Sequence, residues 1–100
     1  MPRGGPRAPQ KTADRRVLLE LLQSVRKEAG FRQEDLAAAI GRQQAYVSKY
    51  ELGERRLDLL DLAAICDAVG LTLTDFSARF DARRAKPSGR GTLITSSPRP

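Results

Sequence analysis

Residues 41–56 read GRQQAYVSKYELGERR, and this stretch decides how the chain folds. A glycine stands on each side of a helical pattern in which Val47 and Tyr50 are spaced to face a core. The opposite side of the pattern carries small or polar residues: Gln44, Ala45, Ser48 and Lys49. The pattern therefore predicts a short helix over residues 44–52 with an outward face suited to contacting another molecule.

Four more helices are predicted around this stretch. Apolar residues recur every three or four positions in each segment, and no segment alternates with the period of a strand. Asp58 and Thr74 can cap the fourth and fifth helices. The predicted helices cover residues 13–29, 33–40, 44–52, 59–69 and 75–83. The expected fold class is all-α, a compact five-helix domain over residues 12–84.

The two ends of the chain differ from this domain in composition. Residues 1–11 are rich in proline, glycine and arginine, and residues 85–100 add serine and threonine to these. Neither segment can bury enough apolar surface to offset its chain entropy, so we expect disordered basic tails. Residues 92–95 (TLIT) are either a chance pair of aliphatic residues or a strand that adds to a partner's sheet.

Composition excludes several kinds of site. The 100 residues contain no histidine and only one cysteine, Cys66, so disulfides within the chain, zinc sites and histidine-based catalysis lack their residues. We expect no metal, no cofactor and no enzyme activity. No apolar run reaches membrane-spanning length, and the N-terminus lacks the apolar centre of a signal peptide, so we expect a cytoplasmic protein.

The charge balance favours a polyanionic partner. Lys and Arg number 18 against 12 Asp and Glu, a formal charge of +6. Eight of the basic residues lie in residues 1–11 and 82–100, where there is no acid. Residues 12–81 therefore carry more acids than bases, and any basic surface there requires charges segregated onto different faces. We expect four acids to lie away from that surface: Asp58, Asp61, Asp67 and Asp75.

The turn between the second and third helices determines what the third helix can contact. Ile40, Gly41 and two further residues join the helices tightly, which favours a steep crossing and a protruding third helix. Such a helix can enter the major groove of double-stranded DNA, which is about 12 Å wide. Glutamine can bond adenine there, lysine can donate to guanine, and an alanine methyl suits the methyl of thymine. The predicted base-reading residues are Gln44, Ala45, Ser48 and Lys49.

A rim of basic and polar residues is predicted to contact phosphates around this face. Exposed backbone N–H groups at the start of the second helix favour an anion beside Gln33. Gln43 either caps the third helix, contacts a phosphate or shares a base with its neighbour, and Tyr46 either packs on the domain edge or bonds a phosphate. The predicted phosphate contacts are Arg32, Gln33, Arg42, Gln43, Tyr46, Arg55 and Arg56.

The segments GF, QEDLA, IG and YVSKYE, at their spacing within residues 30–55, resemble the lambda-repressor-like helix-turn-helix family, also known as Cro/CI or XRE type. The resemblance covers residues 13–80. It implies sequence-specific DNA binding, usually as a dimer, in the regulation of transcription. It also implies that Arg26 and Glu51 form a structural ion pair.

This sequence departs from the family pattern at three positions. Arg32 replaces the usual Ser or Thr cap before Gln33, Arg42 replaces a small apolar turn residue, and Gln43 replaces another Ser or Thr. The loss of such a cap typically costs about 0.5–2 kcal/mol. An arginine at position 32 gains a possible phosphate contact in exchange.

These features predict a transcriptional regulator that binds a palindromic operator as a homodimer with its third helices in the major groove. It acts either as a repressor, by occluding a promoter, or by recruitment to the promoter. TLIT and the basic C-terminal tail motivate one alternative, an antitoxin that binds a toxin and regulates its own gene. A controller of a restriction–modification system is another alternative. The genes that neighbour this one would distinguish the three.

Overall fold

The computed structural model describes the backbone of residues 4–84 and the side chains of residues 12–84. Five helices and no strand make up this part of the chain: α1 (Gly4–Glu28), α2 (Gln33–Ala39), α3 (Gln44–Glu51), α4 (Leu59–Val69) and α5 (Leu73–Arg83). The predicted all-α, five-helix architecture is confirmed. The TLIT segment and the rest of residues 85–100 lie outside the described residues.

The first helix begins earlier than its sequence pattern predicts. We expected it to start at residue 13 behind a disordered tail, whereas α1 also includes residues 4–12. Pro6 costs no hydrogen bond there, because the first four N–H groups of a helix have no partner within the helix. The domain boundary at residue 12 stays a prediction.

The core lies among the five helices, with α1 packed mainly against α3 and α5. Each helix contributes to it, and its buried members are Leu21, Leu22, Val25, Leu36, Ala37, Tyr46, Val47, Tyr50, Ile65, Cys66 and Phe76. Burial raises the pKa of the Cys66 thiol. Cys66 is therefore a small core residue, as predicted, and its thiolate is disfavoured.

The caps of the last two helices fall on Asp58 and Thr72. Asp58 accepts the Asp61 N–H at 2.8 Å, and the Asp61 carboxylate accepts the Asp58 N–H at 3.1 Å, which confirms the predicted start of α4. The predicted start of α5 was wrong. Thr72, not Thr74, accepts the Asp75 N–H at 2.9 Å, and the helix begins at Leu73, which packs on the core.

Two glycines allow α3 to sit against its neighbours. Gly41 has a φ of 71°, which lets the chain reverse between α2 and α3 without the strain that a side chain would bring. Gly53, just after α3, has a φ of 82° and passes close to α1: a Cβ at this position would lie 3.1 Å from Cδ1 of Leu19. The α3 helix is thus held between α1 and α2.

Candidate nucleic-acid interface

The outward face of α3 carries the four predicted base-reading residues. The side of α3 that faces the protein is formed by Tyr46, Val47, Tyr50 and Glu51. On the other side, Gln44, Ala45 and Lys49 are exposed, and Ser48 is half-buried beside them. These four residues therefore share one surface, available to a partner.

A chain of hydrogen bonds runs from the core to Gln44. Arg26 donates to both carboxylate oxygens of Glu51, from Nε at 2.7 Å and from Nη2 at 3.1 Å. Gln33 Nε2 also donates to Glu51, at 3.0 Å, and Gln44 Nε2 donates to Gln33 Oε1 at 2.7 Å. The exposed amide of Gln44 is therefore held in place by groups that reach back to a buried ion pair.

The ion pair at the base of this chain joins three helices. Arg26 on α1 and Glu51 on α3 are only 8% and 5% exposed, and the hydrogen bonds to Glu51 raise the pKa of Arg26. Arg26 Nη1 also donates to the carbonyl of Phe31, just before α2, at 2.8 Å. The pair implied by the family resemblance is therefore present, and it fixes both helices of the turn to α1.

Tyr46 is buried, which favours the first of its two predicted roles, packing on the edge of the domain. Only 9% of the residue is exposed, and its ring packs edge-on against Tyr50 with 5.7 Å between centroids. The guanidinium groups of Arg42 and Arg55 lie 4.4 Å and 4.7 Å from the centre of the Tyr46 ring. Burial is the main cause that raises the pKa of Tyr46. The ring is therefore packed in the domain as a platform for two arginines, and a phosphate contact by the Tyr46 hydroxyl stays a prediction.

The expectation that Asp61 lies away from this surface was wrong. Its Oδ1 lies 3.7 Å from Nη2 of Arg42, and its charge also acts on Tyr46. Hydrogen bonding to the backbone of Asp58 is the main cause that lowers the pKa of Asp61, so the carboxylate stays charged at neutral pH. Arg42 is thus partly neutralised by an acid from the start of α4.

A concavity of about 370 Å³ opens beside α3. Six of the predicted DNA-contacting residues line it: Arg42, Gln43, Ala45, Tyr46, Lys49 and Arg55. The structure therefore gathers residues from the α2–α3 turn, from α3 and from the segment after α3 onto one concave surface.

A family model described as helix-turn-helix matches residues 22–76, more than half of the chain and all of the elements that build this surface. The chain belongs to the XRE-type helix-turn-helix family. It is a DNA-binding transcriptional regulator of that type. No curated protein matches the sequence.

Solved structures of two XRE-type or regulatory proteins are similar to this chain. An XRE-family like protein from Pseudomonas syringae pv. tomato str. DC3000 shares 34% identity and a TM-score of 0.73, with 79% of this chain and 96% of that chain covered. The clp gene regulator ClgR from C. glutamicum shares 28% identity and a TM-score of 0.63, with 72% and 92% covered.

The departure from the XRE pattern at Arg32 has a structural compensation. Arginine has no acceptor with which to cap α2, but the Asp35 carboxylate accepts the Arg32 backbone N–H at 2.9 Å. The Arg32 side chain lies 3.2 Å from Asp35 and 3.5 Å from Glu34, and the bond from Arg32 lowers the pKa of Asp35. The charge of Arg32 is therefore already shared between two acids.

The departure at Gln43 leaves α3 without a side-chain cap. Gln43 occupies the cap position of α3 with an extended backbone, but its side chain makes no capping hydrogen bond. Of the three roles left open for Gln43, side-chain capping is thus not the one the structure adopts. Contact with a phosphate or a base stays a prediction.

The sequence did not point to Arg15. Arg15 Nη2 on α1 donates to the carbonyl of Gly53 at 2.8 Å, which ties the end of α3 to α1. Its only sequence signal is an ordinary cation on an amphipathic helix. Arg55 and Arg56, which were predicted, are exposed and lie just beyond this contact.

The described residues offer neither a membrane-spanning helix nor a cluster of metal ligands. No helix among them is both long enough and apolar enough to span a bilayer. The same residues hold no group of three or more potential metal ligands.

Proposed function

We propose that this XRE-type regulator represses transcription by binding a palindromic operator as a homodimer, with the α3 helix of each subunit in the major groove. It acts by occupying DNA, and not as an enzyme. The observation that carries the proposal is the hydrogen-bonded chain from Arg26 through Glu51 and Gln33 to Gln44. It supports a preorganised reading residue, because an ordered side chain loses less conformational freedom on binding.

Gln44 keeps the groups that adenine requires. An amide has two N–H donors and one oxygen acceptor, and Gln44 uses a single N–H to bond Gln33. Its oxygen can therefore accept from N6 of adenine while its second N–H donates to N7. In the same way, Gln33 retains one N–H for a phosphate oxygen. Lys49, Ala45 and Ser48 complete the proposed reading face.

The proposed phosphate contacts differ in how free their charges are. Arg55 and Arg56 form no ion pair with an acid among the described residues, and Arg55 is stacked on Tyr46. Arg42 is also stacked on Tyr46 but shares Asp61, and Arg32 shares two acids. We infer that Arg55 and Arg56 are the strongest contacts, with Arg42 next and Arg32 weakest.

Three exposed leucines at the two ends of the α3–α4 connection support the homodimer. Leu52 directly follows α3, and Leu59 and Leu60 begin α4; they are 67%, 65% and 79% exposed. Large apolar side chains exposed together often mark an interface. A two-fold axis near this connection would bring the ends of two α3 helices toward each other, as a palindromic operator requires.

Selection of bound sequences from random double-stranded DNA tests the proposal. We expect enrichment of a two-fold symmetric site whose half-site centres lie about 34–36 Å apart, the spacing that helix-turn-helix dimers use. Enrichment of a single asymmetric half-site would contradict the dimer. A failure to enrich any sequence would contradict specific DNA reading.

A further inference from the structure

A second concavity lies between α1 and the segment that follows α3. We name it the α1 cleft; its volume is about 220 Å³, and Leu18, Leu22 and Leu57 give it an apolar lining. Three arginines, Arg15, Arg55 and Arg56, also line it. The α1 cleft thus combines an apolar interior with three arginine residues, and none of its lining residues is acidic.

The charges around the α1 cleft are uncompensated. None of its three arginines forms an ion pair with an acid among the described residues, whereas Arg26, Arg42 and Arg84 all do. Arg15 donates one N–H to the carbonyl of Gly53, and its other guanidinium N–H groups remain available to a ligand. Guanidinium groups bind carboxylates with paired, charge-assisted hydrogen bonds. The arginines of the cleft therefore favour an anion.

The α1 cleft is also lined by a side chain with an unmet hydrogen bond. Tyr50 is fully buried, and its hydroxyl has no hydrogen-bond partner among the described residues. A buried hydroxyl without a partner is costly, and such groups are rare in folded proteins. DNA binding by α3 does not account for it, because Tyr50 lies on the inner side of that helix.

We propose that the α1 cleft binds a small amphipathic carboxylate, with its aliphatic or aromatic body on the leucines and its carboxylate on the arginines, and that occupancy weakens DNA binding. The cleft is smaller than the 300–1,000 Å³ typical of drug-sized ligands, which suits a short acid. A bare anion would leave the leucine lining unused.

Arg55 couples the α1 cleft to the DNA surface. It lines both the α1 cleft and the concavity beside α3, where it stacks on Tyr46. A carboxylate that engages Arg55 and Arg56 removes two cations from the phosphates that we propose they contact. This regulatory effect rests on the proposed DNA-binding function, whereas ligand binding by the cleft does not.

Titration of the full chain, without DNA, with sodium hexanoate at constant ionic strength tests the ligand site. Backbone amide resonances followed by NMR should show a saturable shift at Leu18, Leu22 and Leu57. Hexan-1-ol, which lacks the charge, and inorganic phosphate, which lacks the apolar body, should each bind at least about tenfold more weakly. Phosphate that binds as tightly as hexanoate would indicate a simple anion site and overturn the proposal.

Matched variants locate the carboxylate. Arg56→Gln changes an exposed side chain and should raise the dissociation constant for hexanoate about tenfold or more, as the loss of a charged hydrogen bond predicts. Arg15→Gln should do the same. Arg16→Gln, which alters an exposed neighbour that does not line the cleft, should leave the constant unchanged. Equal affinity in Arg56→Gln and the parent chain would overturn the assignment.

A DNA titration separates this inference from the proposed function. Saturating hexanoate should weaken operator binding at least about fivefold in the parent chain, and hexan-1-ol should have no effect. If the operator is bound but hexanoate does not bind the chain, the cleft proposal fails and the proposed function stands. If hexanoate binds but no operator is selected, the ligand site stands and the proposed function fails.

Discussion

Glu51 is the single residue on which the interface depends most. Its carboxylate accepts from Arg26 on α1 and from Gln33 on α2, and it is almost fully buried. The two carboxylate oxygens accept three N–H groups, two from Arg26 and one from Gln33, whereas a glutamine amide would place its own N–H donors against one of them. Arg26 of the scaffold and Gln33, which holds the proposed reading residue Gln44, therefore share one acceptor.

Glu51→Gln should lower the free energy of unfolding by about 3–5 kcal/mol, because it leaves the buried guanidinium of Arg26 without its counter-charge. Urea denaturation followed by circular dichroism measures the change. Glu34→Gln is the matched control: Glu34 pairs with Arg32 on an exposed surface, and its loss should cost less than about 1 kcal/mol. Equal losses in the two variants would contradict the role given to the buried pair.

Tyr50→Phe is expected to keep or raise the stability at neutral pH. The substitution removes a buried hydroxyl that has no partner among the described residues, and an unsatisfied buried polar group costs about 1–3 kcal/mol. Thermal unfolding should show an unchanged or higher midpoint. A midpoint lowered by several degrees would mean that the hydroxyl is satisfied in solution.

Tyr50→Phe should also change how the stability of the fold depends on pH in the alkaline range. Burial raises the pKa of Tyr50, so the native state holds this proton after the unfolded chain, with a pKa of about 10, has lost it. Stability should therefore fall as the pH rises above about 10. Tyr50→Phe should reduce that fall, and Tyr46, whose pKa is also raised, should account for part of what remains.

At the scale of the helices, Thr72 and Thr74 offer a direct comparison. Thr72→Ala should destabilise the domain by about 0.5–2 kcal/mol, because its hydroxyl caps α5 through the Asp75 N–H. Thr74→Ala, inside the first turn of α5 and exposed, should change stability by no more than about 0.5 kcal/mol. A larger loss of stability in Thr74→Ala than in Thr72→Ala, measured by urea denaturation, would indicate that Thr74 caps the helix.

The helices that the sequence predicted best are those with both a periodic apolar face and a distinct end. α4 is the clearest case, since Asp58 precedes its apolar run and Gly70 follows it, and both its ends were predicted correctly. α5 offers two threonines as caps, and only the packing of Leu73 on the core decides between them. The start of α1 was missed because proline-rich composition predicts disorder.

The sequence predicted the outward face of α3 but not the contacts beneath it. A helical period places Gln44 and Lys49 opposite Val47 without knowledge of the neighbours. The burial of Tyr46 and the position of Asp61 depend on how α4 is placed relative to α3. That placement is set by tertiary packing and is not visible in a local sequence pattern. The hydrogen bond from Arg15 to Gly53 joins residues 38 positions apart, so no local sequence pattern predicts it.

For the whole molecule, the distribution of charge matters more than its sum. The chain carries +6, but all of the basic excess lies in the two ends, because residues 12–81 hold more acids than bases. Several arginines of the domain are also neutralised by nearby acids. Among the described residues, Arg55 and Arg56 form no ion pair with an acid, and they should therefore contribute most of the domain's response to salt. Each phosphate contact that is lost lowers the slope of log K against log salt by roughly one unit.

Arg55→Ala should lower the slope of log K against log salt by roughly one unit. It should also weaken binding to operator DNA and to random DNA by the same factor. Arg32→Ala should change the slope less, because Asp35 and Glu34 already share its charge. Fluorescence anisotropy over a salt series measures both slopes. A larger change in Arg32→Ala than in Arg55→Ala would reverse the order of contacts inferred from the ion pairs.

The central claim is that Gln44, held by Gln33, reads a base. Its most direct test compares Gln44→Ala with the parent chain on the selected operator and on random DNA of equal length at one salt concentration. We predict a loss of about 1–3 kcal/mol on the operator, little loss on random DNA, and relaxed preference at one base pair of each half-site. An equal loss on both DNAs, with the base preference unchanged, would contradict the claim.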